Sequence, residues 1–542
     1  MWFAFGAAIV LQFVMPFIYP LSGHDAAVHL NWLGQFPRLF REGNLYPRWM
    51  PDSFWGFGSP AFYFYPPLAY WSASLLSFIL PDSPVAIYQT LGFLATVASV
   101  GTCYLYLRSM TESKRAAFIG ALFYGVFPYR LLDLYLRNAI GEHIAFIFLP
   151  LIFLTVEMAL RKTGRKDFLR SEILAAIGWS GILLSNIPMS VIALYCVPVY
   201  SIIRASEKKN YVRLFFPAVG ACIGAAIAAV YLLPIAVYTS AAMIPSLWNR
   251  HYTASNWGYS IIELFYSNYR INYTGMVIIL AVGIWLCYRF LVKRAATAKK
   301  NLAATFSILL AITLALEIPY LLMPLWTALP LFSLIQFAYR WNSIIAFAAA
   351  VYIALYFTVE GKYIPWLVGI LSTVTIIIAV GYFITMHGFT WHNSAFAGKA
   401  DAPEYLSSRA DTNFTRAKKM FAEHAMDDLI SSSDPSQFHI ISVSSESIRF
   451  SKGQSQQDAA VIFHRMYFPS WQLRSSAGNE IPVTADSIGR MTAVLPTEAY
   501  EYTLSIEKNE QEKTGAVITF TGIVLLAVLS VLTIFWRNPK AS

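Results

Sequence analysis

The chain carries at residues 22–71 the stretch SGHDAAVHLNWLGQFPRLFREGNLYPRWMPDSFWGFGSPAFYFYPPLAYW. An apolar segment precedes it at 3–20, and the next long apolar segment begins at residue 85. The stretch is too apolar and aromatic for a disordered loop, and long ordered loops are usually functional. We therefore interpret residues 21–84 as a large loop between two membrane spans, and call it the first loop.

The overall composition is that of a membrane protein. Of the 542 residues, 57% are hydrophobic and 13% are charged, whereas soluble domains are roughly 25% charged. This excludes an ordinary cytosolic enzyme, a disordered protein and a disulfide scaffold. The net charge of +10 does not indicate nucleic acid as a partner, because the charges follow membrane topology and form no surface for reading bases.

About twelve segments are apolar enough for membrane spans, each of which needs roughly 20 residues. They lie near 3–20, 85–107, 116–130, 143–160, 171–186, 188–203, 214–238, 273–291, 302–318, 340–358, 364–386 and 514–536. Two shorter segments, 66–80 and 321–335, are predicted as helices in the membrane interface. The first segment lacks a basic flank and a cleavage site, so we interpret it as a retained span.

The basic residues predict the orientation of these spans. The loops at 108–115, 161–170, 204–213, 289–300 and 359–363 and the tail at 537–542 carry 20 Lys and Arg. The alternate loops at 21–84, 129–142, 239–272 and 319–340 carry 8 over a greater length. Because basic loops stay in the cytoplasm, we expect both termini inside. The first loop and residues 129–142, the second loop, are then outside a bacterial inner or plasma membrane.

Residues 387–513 form a separate, more polar region with 12 basic and 16 acidic residues. Alternating apolar and polar residues predict strands in FHIISV (438–443), SIRF (447–450), AAVIFHRM (459–466) and YEYTLSI (500–506). We therefore expect a small extracytoplasmic β-sandwich-like domain. It separates a transmembrane domain at 1–386 from a last span and cytoplasmic tail at 514–542.

The first loop opens with an acidic residue between two histidines. Asp25 and His29 are four residues apart and share one helix face, and His24 is adjacent. An ionisable group at the membrane is costly to place and is a candidate site, although Asp25 could simply begin a helix. A metal site built from these three residues is a weaker alternative, because the sequence shows no second carboxylate nearby. We expect no cofactor and leave a divalent metal open.

The first loop resembles that of the GT-C glycosyltransferases, in the protein mannosyltransferase and aminoarabinose transferase branches. Asp25, GNLYPRW (43–49) and FYPPLAYW (64–71) carry the resemblance, with Tyr65 in place of the lysine of the K-P-P-L-x-Y-W motif. The chain is more closely similar to bacterial YfhO-type membrane proteins, including those described as related to 6-pyruvoyl-tetrahydropterin synthase. That similarity rests on GHDAAVH (23–29), IQFAYRWNS (335–343), YFPSWQLRSSAGNEIPV (467–483) and GRMTAVLPTEAYEYTLSI (489–506).

This resemblance implies an inverting transferase that moves a sugar from a polyprenyl-phosphate donor to an extracytoplasmic glycan, lipid or protein. It implies that Asp25 is the general base on the acceptor hydroxyl. The donor phosphate needs a cation near the outer end of a span, and Arg340 fits that position. The alternative is that Arg340 only snorkels between Tyr339 and Trp341 in an aromatic belt.

Other candidates for substrate binding lie in the two loops. Arg137, Glu142 and His143 are placed where the second loop re-enters the membrane, although Arg130, Asp133 and Arg137 also fit an ion-paired helix stripe. The remaining substrate-binding candidates are His24, His29, Arg48, Tyr65 and Tyr339. Two other functions stay open, a transporter of lipid-linked sugars and a non-catalytic scaffold. Transport is disfavoured because the span centres hold few ionisable residues.

Overall fold

A computed structural model describes residues 23–161, 164–245, 297–317, 319–358, 401–409, 437–498 and 500–535, with shorter pieces at 266–267, 270–271, 281–285, 419, 422–424 and 428–432. The spans predicted at 3–20 and 364–386, and most of the one at 273–291, lie outside these residues.

A short helical piece lies at 281–285, and fifteen further α-helices have their bounds within the described residues. They are α1 Ala26–Arg41, α2 Ala61–Phe64, α3 Leu68–Leu76, α4 Pro84–Thr111, α5 Lys114–Gly125, α6 Pro128–Leu131, α7 Ile140–Leu160, α8 Arg165–Ser185, α9 Ile187–Lys208, α10 Phe215–Ile227, α11 Ala229–Tyr238, α12 Thr297–Leu316, α13 Pro319–Ala328, α14 Asn342–Tyr356 and α15 Glu510–Phe535. A π-helical turn covers Leu132–Arg137. Short 3-10 turns lie at Phe54–Gly56, Val212–Leu214, Thr239–Ala241, Phe332–Ile335, Ala338–Trp341 and Pro403–Tyr405.

Seven of the described helices are long and apolar enough to cross a membrane, and two bent pairs would bring that number to nine. One pair joins α5 to the helix that begins at Pro128, with a bend of 41°, and the other joins α10 to α11, with a bend of 62°. Each of the nine overlaps a predicted span. The expected total of about twelve stays a prediction, because the other three predicted spans lie wholly or mostly outside the described residues.

Side-chain caps fix where several of these helices begin. Ser83 accepts a hydrogen bond from the backbone of Ala86 at the start of α4, where proline occupies the first helical position. Ser113 does the same at the start of α5. At the hairpin between α8 and α9, Asn186 accepts from the Met189 N–H at 2.9 Å. Each contact satisfies a backbone donor that the helix leaves without an internal partner.

Helix α14 lies at the centre of the bundle, and all of its residues are buried. The ring of Phe347 on α14 contacts Tyr106 of α4, Phe153 of α7 and Phe306 of α12 at centroid distances of 4.9, 5.2 and 5.5 Å. Aromatic rings dominate the packing energy of such cores. This packing fixes the start of α14, and with it the position of Arg340 in the preceding turn.

The polar region near the C-terminus contains two antiparallel sheets. Its strands are β3 Ile430–Ser432, β4 Phe438–Val443, β5 Ser447–Lys452, β6 Ala459–Met466, β7 Trp471–Ser475, β8 Glu480–Ile481, β9 Thr484–Ala485, β10 Arg490–Leu495 and β11 Tyr500–Ile506, after a short pair β1 Tyr266–Ser267 and β2 Arg270–Ile271. The sheet orders are β3-β6-β10-β9 and β4-β5-β11-β7-β8. Phe450 of one sheet contacts Phe463 of the other at 5.7 Å, so the sheets pack face to face as a sandwich.

The last helix begins earlier than the predicted span. The side chain of Asn509 accepts from the Glu512 N–H at 2.7 Å, and the Glu512 carboxylate accepts from the Asn509 N–H at 3.2 Å. This reciprocal capping box starts α15 at Glu510. Gly515 and Gly522 then let α15 approach the α10–α11 bend, since a Cβ at Gly515 would lie 2.8 Å from the Ala229 carbonyl oxygen.

The β domain packs directly on the first loop. The indoles of Trp49 and Trp471 meet edge to face at 5.3 Å, and the ring of Phe57 stacks on His464 at 3.9 Å. The Met466 N–H donates to the Phe57 carbonyl at 2.8 Å. The predicted fold class is thus confirmed as a helical membrane bundle that carries a mainly β domain before its last helix.

Candidate functional site

The start of α1 is bound to the end of the second loop through consecutive backbone groups. The Gly23 N–H donates to Asn138 Oδ1 at 2.6 Å, the His24 N–H to Leu136 O at 3.0 Å and the Asp25 N–H to Arg137 O at 2.9 Å. These carbonyls lie at the end of the π-helical turn, where a helix leaves acceptors without internal partners. These hydrogen bonds place the backbone of Asp25 beside that of Arg137.

Asp25 occupies the N-cap position of α1, but its side chain makes no capping hydrogen bond. Its carboxylate is half-buried and forms no hydrogen bond or ion pair with any described residue. Capping of α1 therefore does not account for this carboxylate. A pair of acceptor oxygens that the described residues leave unused, at the junction of two loops, is available to a ligand.

Next to Asp25 lies a buried cluster of alternating charges. Arg137 Nη1 contacts Asp133 Oδ1 at 2.8 Å and Glu142 Oε2 at 2.6 Å. Arg340 Nε reaches the same Glu142 oxygen at 3.1 Å across 198 positions of sequence. The Tyr129 hydroxyl donates to the other Glu142 oxygen. Glu142 therefore holds the two guanidinium groups side by side, as a buried charge requires.

Each guanidinium group is only partly used by these contacts. Arg340 Nη1 donates to Ile335 O at 2.9 Å and to Gln336 Oε1 at 2.6 Å. Within the described part of the chain, Arg340 Nη2 and the Nε and Nη2 atoms of Arg137 donate no hydrogen bond. Guanidinium edges of this kind match the geometry of a phosphate or carboxylate.

Tyr65 reaches the same cluster from the first loop. A Cβ added to Gly141 would lie 2.9 Å from the Tyr65 hydroxyl, so that hydroxyl borders the start of α7 beside Glu142. Burial raises the pKa of Tyr65, the Asp25 carboxylate raises it further, and Arg340 and Arg137 oppose the shift. The phenol that replaces the family lysine is therefore neutral and lies within electrostatic reach of Asp25 and both arginines.

Two of the predicted histidines have internal partners. His29 is buried, and its Nδ1 lies 2.6 Å from the Tyr70 hydroxyl. Burial lowers the pKa of His29 to about 4, with Asp25 opposing and Arg137 adding to the shift, so the ring is neutral at pH 7. The His143 Nε2 lies 2.9 Å from Thr96 Oγ1 of α4, which directs this ring into the bundle. His24 is exposed beside Asp25.

Arg48 lies apart from the charge cluster. Its Nη2 donates to Val230 O at 2.8 Å, its Nε is 3.4 Å from Glu512 of α15, and its guanidinium lies over the Tyr46 ring at 4.3 Å. These contacts join the first loop to the α10–α11 bend and to the last helix. The structure thus gives Arg48 a packing role, and the predicted contact with sugar or phosphate stays a prediction.

A second carboxylate, Glu404, approaches Asp25 from the segment 401–409. Tyr405 stacks on Phe64 at 5.8 Å and an angle of 8°, which holds this segment on the first loop. Burial raises the pKa of Glu404 to about 7, and the Asp25 and Asp401 carboxylates add to the shift. The sequence interpretation that no second carboxylate stands near Asp25 was wrong, because 379 positions separate two residues that packing brings together.

The structure adds no support for a metal site at His24, Asp25 and His29. Among the described residues, no group of three or more His, Cys, Asp or Glu side chains could hold a metal ion. Asp133, Tyr129 and Gln336 contact the cluster but were not among the predicted site residues. Asn138, which contacts Gly23, was not among them either. The spacing of Asp133 and Arg137, four apart, was the one local signal for any of them.

The chain belongs to a known family of membrane proteins. Residues 62–388 match the family described as the 6-pyruvoyl-tetrahydropterin synthase related domain, a membrane protein. The match covers more than half of the chain and confirms the predicted resemblance. No curated protein matches the chain.

Among solved structures, the chain is similar to the archaeal oligosaccharyltransferase AglB from Archaeoglobus fulgidus, solved with an inhibitory peptide and a dolichol-phosphate. The identity is 14% and the TM-score 0.41, with 78% of this chain and 59% of AglB covered. The chain thus spans about three fifths of AglB, and the likeness is too remote to support a statement about activity.

Proposed function

We propose that this protein is a membrane glycosyltransferase that moves a sugar from a polyprenyl-phosphate donor to an acceptor at the β-domain end of the bundle. The observation that carries the proposal is the Asp25 carboxylate beside the guanidinium edges of Arg137 and Arg340, all of which the described residues leave without a hydrogen-bond partner. The family resemblance of the first loop supports the same assignment. The proposed location is a bacterial inner membrane with both termini cytoplasmic.

The two kinds of group match the two halves of the reaction. The acceptor oxygen attacks the anomeric carbon while its proton passes to Asp25. The bond from that carbon to the phosphate oxygen breaks, and its electron pair leaves with the phosphate. Arg137 and Arg340 stabilise the negative charge that develops on the phosphate. Such electrostatic stabilisation usually contributes more to the rate than the proton transfer to a general base. One carboxylate acting on the acceptor makes this a single displacement with inversion at the anomeric carbon.

The position of the cluster suits a lipid-linked donor. Arg137 ends the bent helix that begins at Pro128, and Arg340 precedes α14, so both guanidinium groups lie at span ends where lipid phosphates are found. Glu142 and Asp133 balance the two cations in the resting protein. Buried charges that are paired in this way keep a fixed geometry before the donor arrives.

The alternatives are a transporter that binds a lipid-linked sugar without turnover and a non-catalytic scaffold, and Tyr65 in place of the family lysine supports the scaffold. Purified protein in nanodiscs would be given a panel of polyprenyl-phosphate sugars, first without an added acceptor. A transferase is expected to bind one donor and slowly release polyprenyl phosphate by transfer to water. Binding without release, even with envelope glycans added, would contradict transfer and favour the transporter. The absence of binding across the panel would contradict both transfer and transport and would favour the scaffold.

A further inference from the structure

Asn138 connects the two halves of the candidate site through its side chain. It ends the π-helical turn with a left-handed backbone, φ 55°, a conformation that asparagine tolerates better than most residues. The side chain is almost fully buried. Its Nδ2 donates to Leu134 O and its Oδ1 accepts from the Gly23 N–H, each at 2.6 Å. Both ends of the amide are therefore used, one on each loop.

Gly23 fits this contact because it has no side chain. A Cβ at Gly23 would lie 2.6 Å from the Leu136 carbonyl oxygen and would also overlap Asn138 Oδ1. Contacts that short require the backbone to move. The sequence Gly23-His24-Asp25 is thus held against the second loop by the absence of a side chain at its first position and by hydrogen bonds at all three.

The last of these bonds has a chemical consequence. The Asp25 N–H donates to the carbonyl of Arg137 at 2.9 Å, so one hydrogen bond sets the backbone separation of the proposed base and a proposed phosphate ligand. Arg137 itself is fixed by Asp133 and Glu142 and does not need Asn138 for its orientation. Loss of the Asn138 side chain would remove the first of the three hydrogen bonds and loosen the segment that carries Asp25, while leaving the two cations in place.

We propose that Asn138 is a positioning residue that sets the Asp25 carboxylate against the Arg137–Arg340 pair. This inference rests on the proposed function. A misplacement of about 1 Å from a supporting contact can reduce turnover roughly 100-fold. Loss of this contact therefore lowers kcat and leaves donor affinity unchanged.

The test uses Asn138→Gly, which keeps the left-handed backbone and removes only the amide, and Gly23→Ala, which disturbs the same contact from the other side. Asn186→Ala is the matched control, because it also removes a side-chain acceptor from a backbone N–H at a loop of the bundle. Both test variants are expected to lower kcat for donor hydrolysis by roughly 10- to 100-fold, with donor Kd within about twofold of wild type. The control should keep wild-type kcat.

Hydrogen exchange separates the inference from the proposed function. The amides of residues 23–25 should exchange faster in Asn138→Gly than in wild type, whatever the reaction is. Unchanged exchange there, or wild-type kcat in both variants, would overturn the positioning role. A parallel loss of kcat and donor affinity would also overturn it, since that indicates collapse of the whole cluster. A lack of turnover in wild type and control alike would instead refute the proposed function.

Discussion

Replacement of Arg340 by alanine should weaken donor binding by an amount that the structure sets. The Nε and Nη1 hydrogens of Arg340 are used by Glu142, Ile335 and Gln336, which leaves the two hydrogens of Nη2 for a phosphate. A hydrogen bond to a charged group contributes roughly 1.5–3 kcal/mol. Two such bonds, discounted for imperfect geometry, give about 2–4 kcal/mol, or roughly a 30- to 900-fold increase in Kd.

The assay is equilibrium binding of a fluorescent polyprenyl-phosphate sugar to protein in nanodiscs. Arg204→Ala is the matched control, because Arg204 is equally buried and its Nε binds Glu157 at 2.6 Å in a separate ion cluster between α7 and α9. Both variants remove one partner of a buried pair and should lose similar stability. Only Arg340→Ala should lose donor affinity. Equal donor affinity in the two folded variants would refute the assignment of Arg340 to the phosphate.

Two further predictions concern the packing around the site. Arg48→Ala or Glu512→Ala should each destabilise the protein by about 3–5 kcal/mol, because each leaves a buried charge without its partner. An Arg48→Met, Glu512→Met double variant should be more stable in thermal unfolding than either single variant, since it removes both charges. A double variant that is no more stable than the single variants would contradict the reasoning. The pKa of Glu404 is raised to about 7 by burial, so its contribution to stability is present at low pH and is lost as the pH rises from about 4.5 through 7. Glu404→Gln should therefore show a smaller drop in unfolding temperature between pH 5 and pH 8 than wild type, and an equal drop would contradict the assignment.

The sequence predicted the elements of this fold because each has a local signal. Apolar length predicts spans, and all nine long or paired helices of the described residues overlap predicted ones. Alternation predicts strands, and FHIISV, AAVIFHRM and YEYTLSI match β4, β6 and β11 in full. The early start of α15 also had a local signal, the Asn509–Glu512 capping box, which the hydropathy pattern does not show.

The candidate site was less predictable, because long-range packing assembles it. Topology placed Asp25, Arg137, Glu142 and Arg340 at one end of the bundle, and the structure shows which of them touch. Nothing local indicates that Arg340 shares Glu142 with Arg137 across 198 positions. Glu512, the ion-pair partner of Arg48, is also far from it in the sequence.

The contacts of two other side chains near the site also depend on packing that the sequence does not specify. His143 was predicted as a site residue from its position near Arg137 and Glu142. Its position on α7 directs the ring towards Thr96 of α4, and its role in substrate binding stays a prediction. Asn138 was not among the predicted site residues, since its contact with Gly23 depends on a backbone conformation that the sequence does not specify. The packed structure sets the direction of a side chain on a helix and the sign of φ at a loop residue. Neither follows from sequence spacing alone.

The most direct test of the account is donor turnover and donor binding by Asp25→Asn, with Asp52→Asn as control. Asp52 lies in the same loop and forms an exposed ion pair with Arg38 at 2.8 Å, which contributes little. The account predicts that Asp25→Asn loses turnover by at least about 100-fold, the lower range for a general base, and still binds donor. Asp52→Asn should behave as wild type. Wild-type turnover in Asp25→Asn would contradict the central claim that this carboxylate is the base.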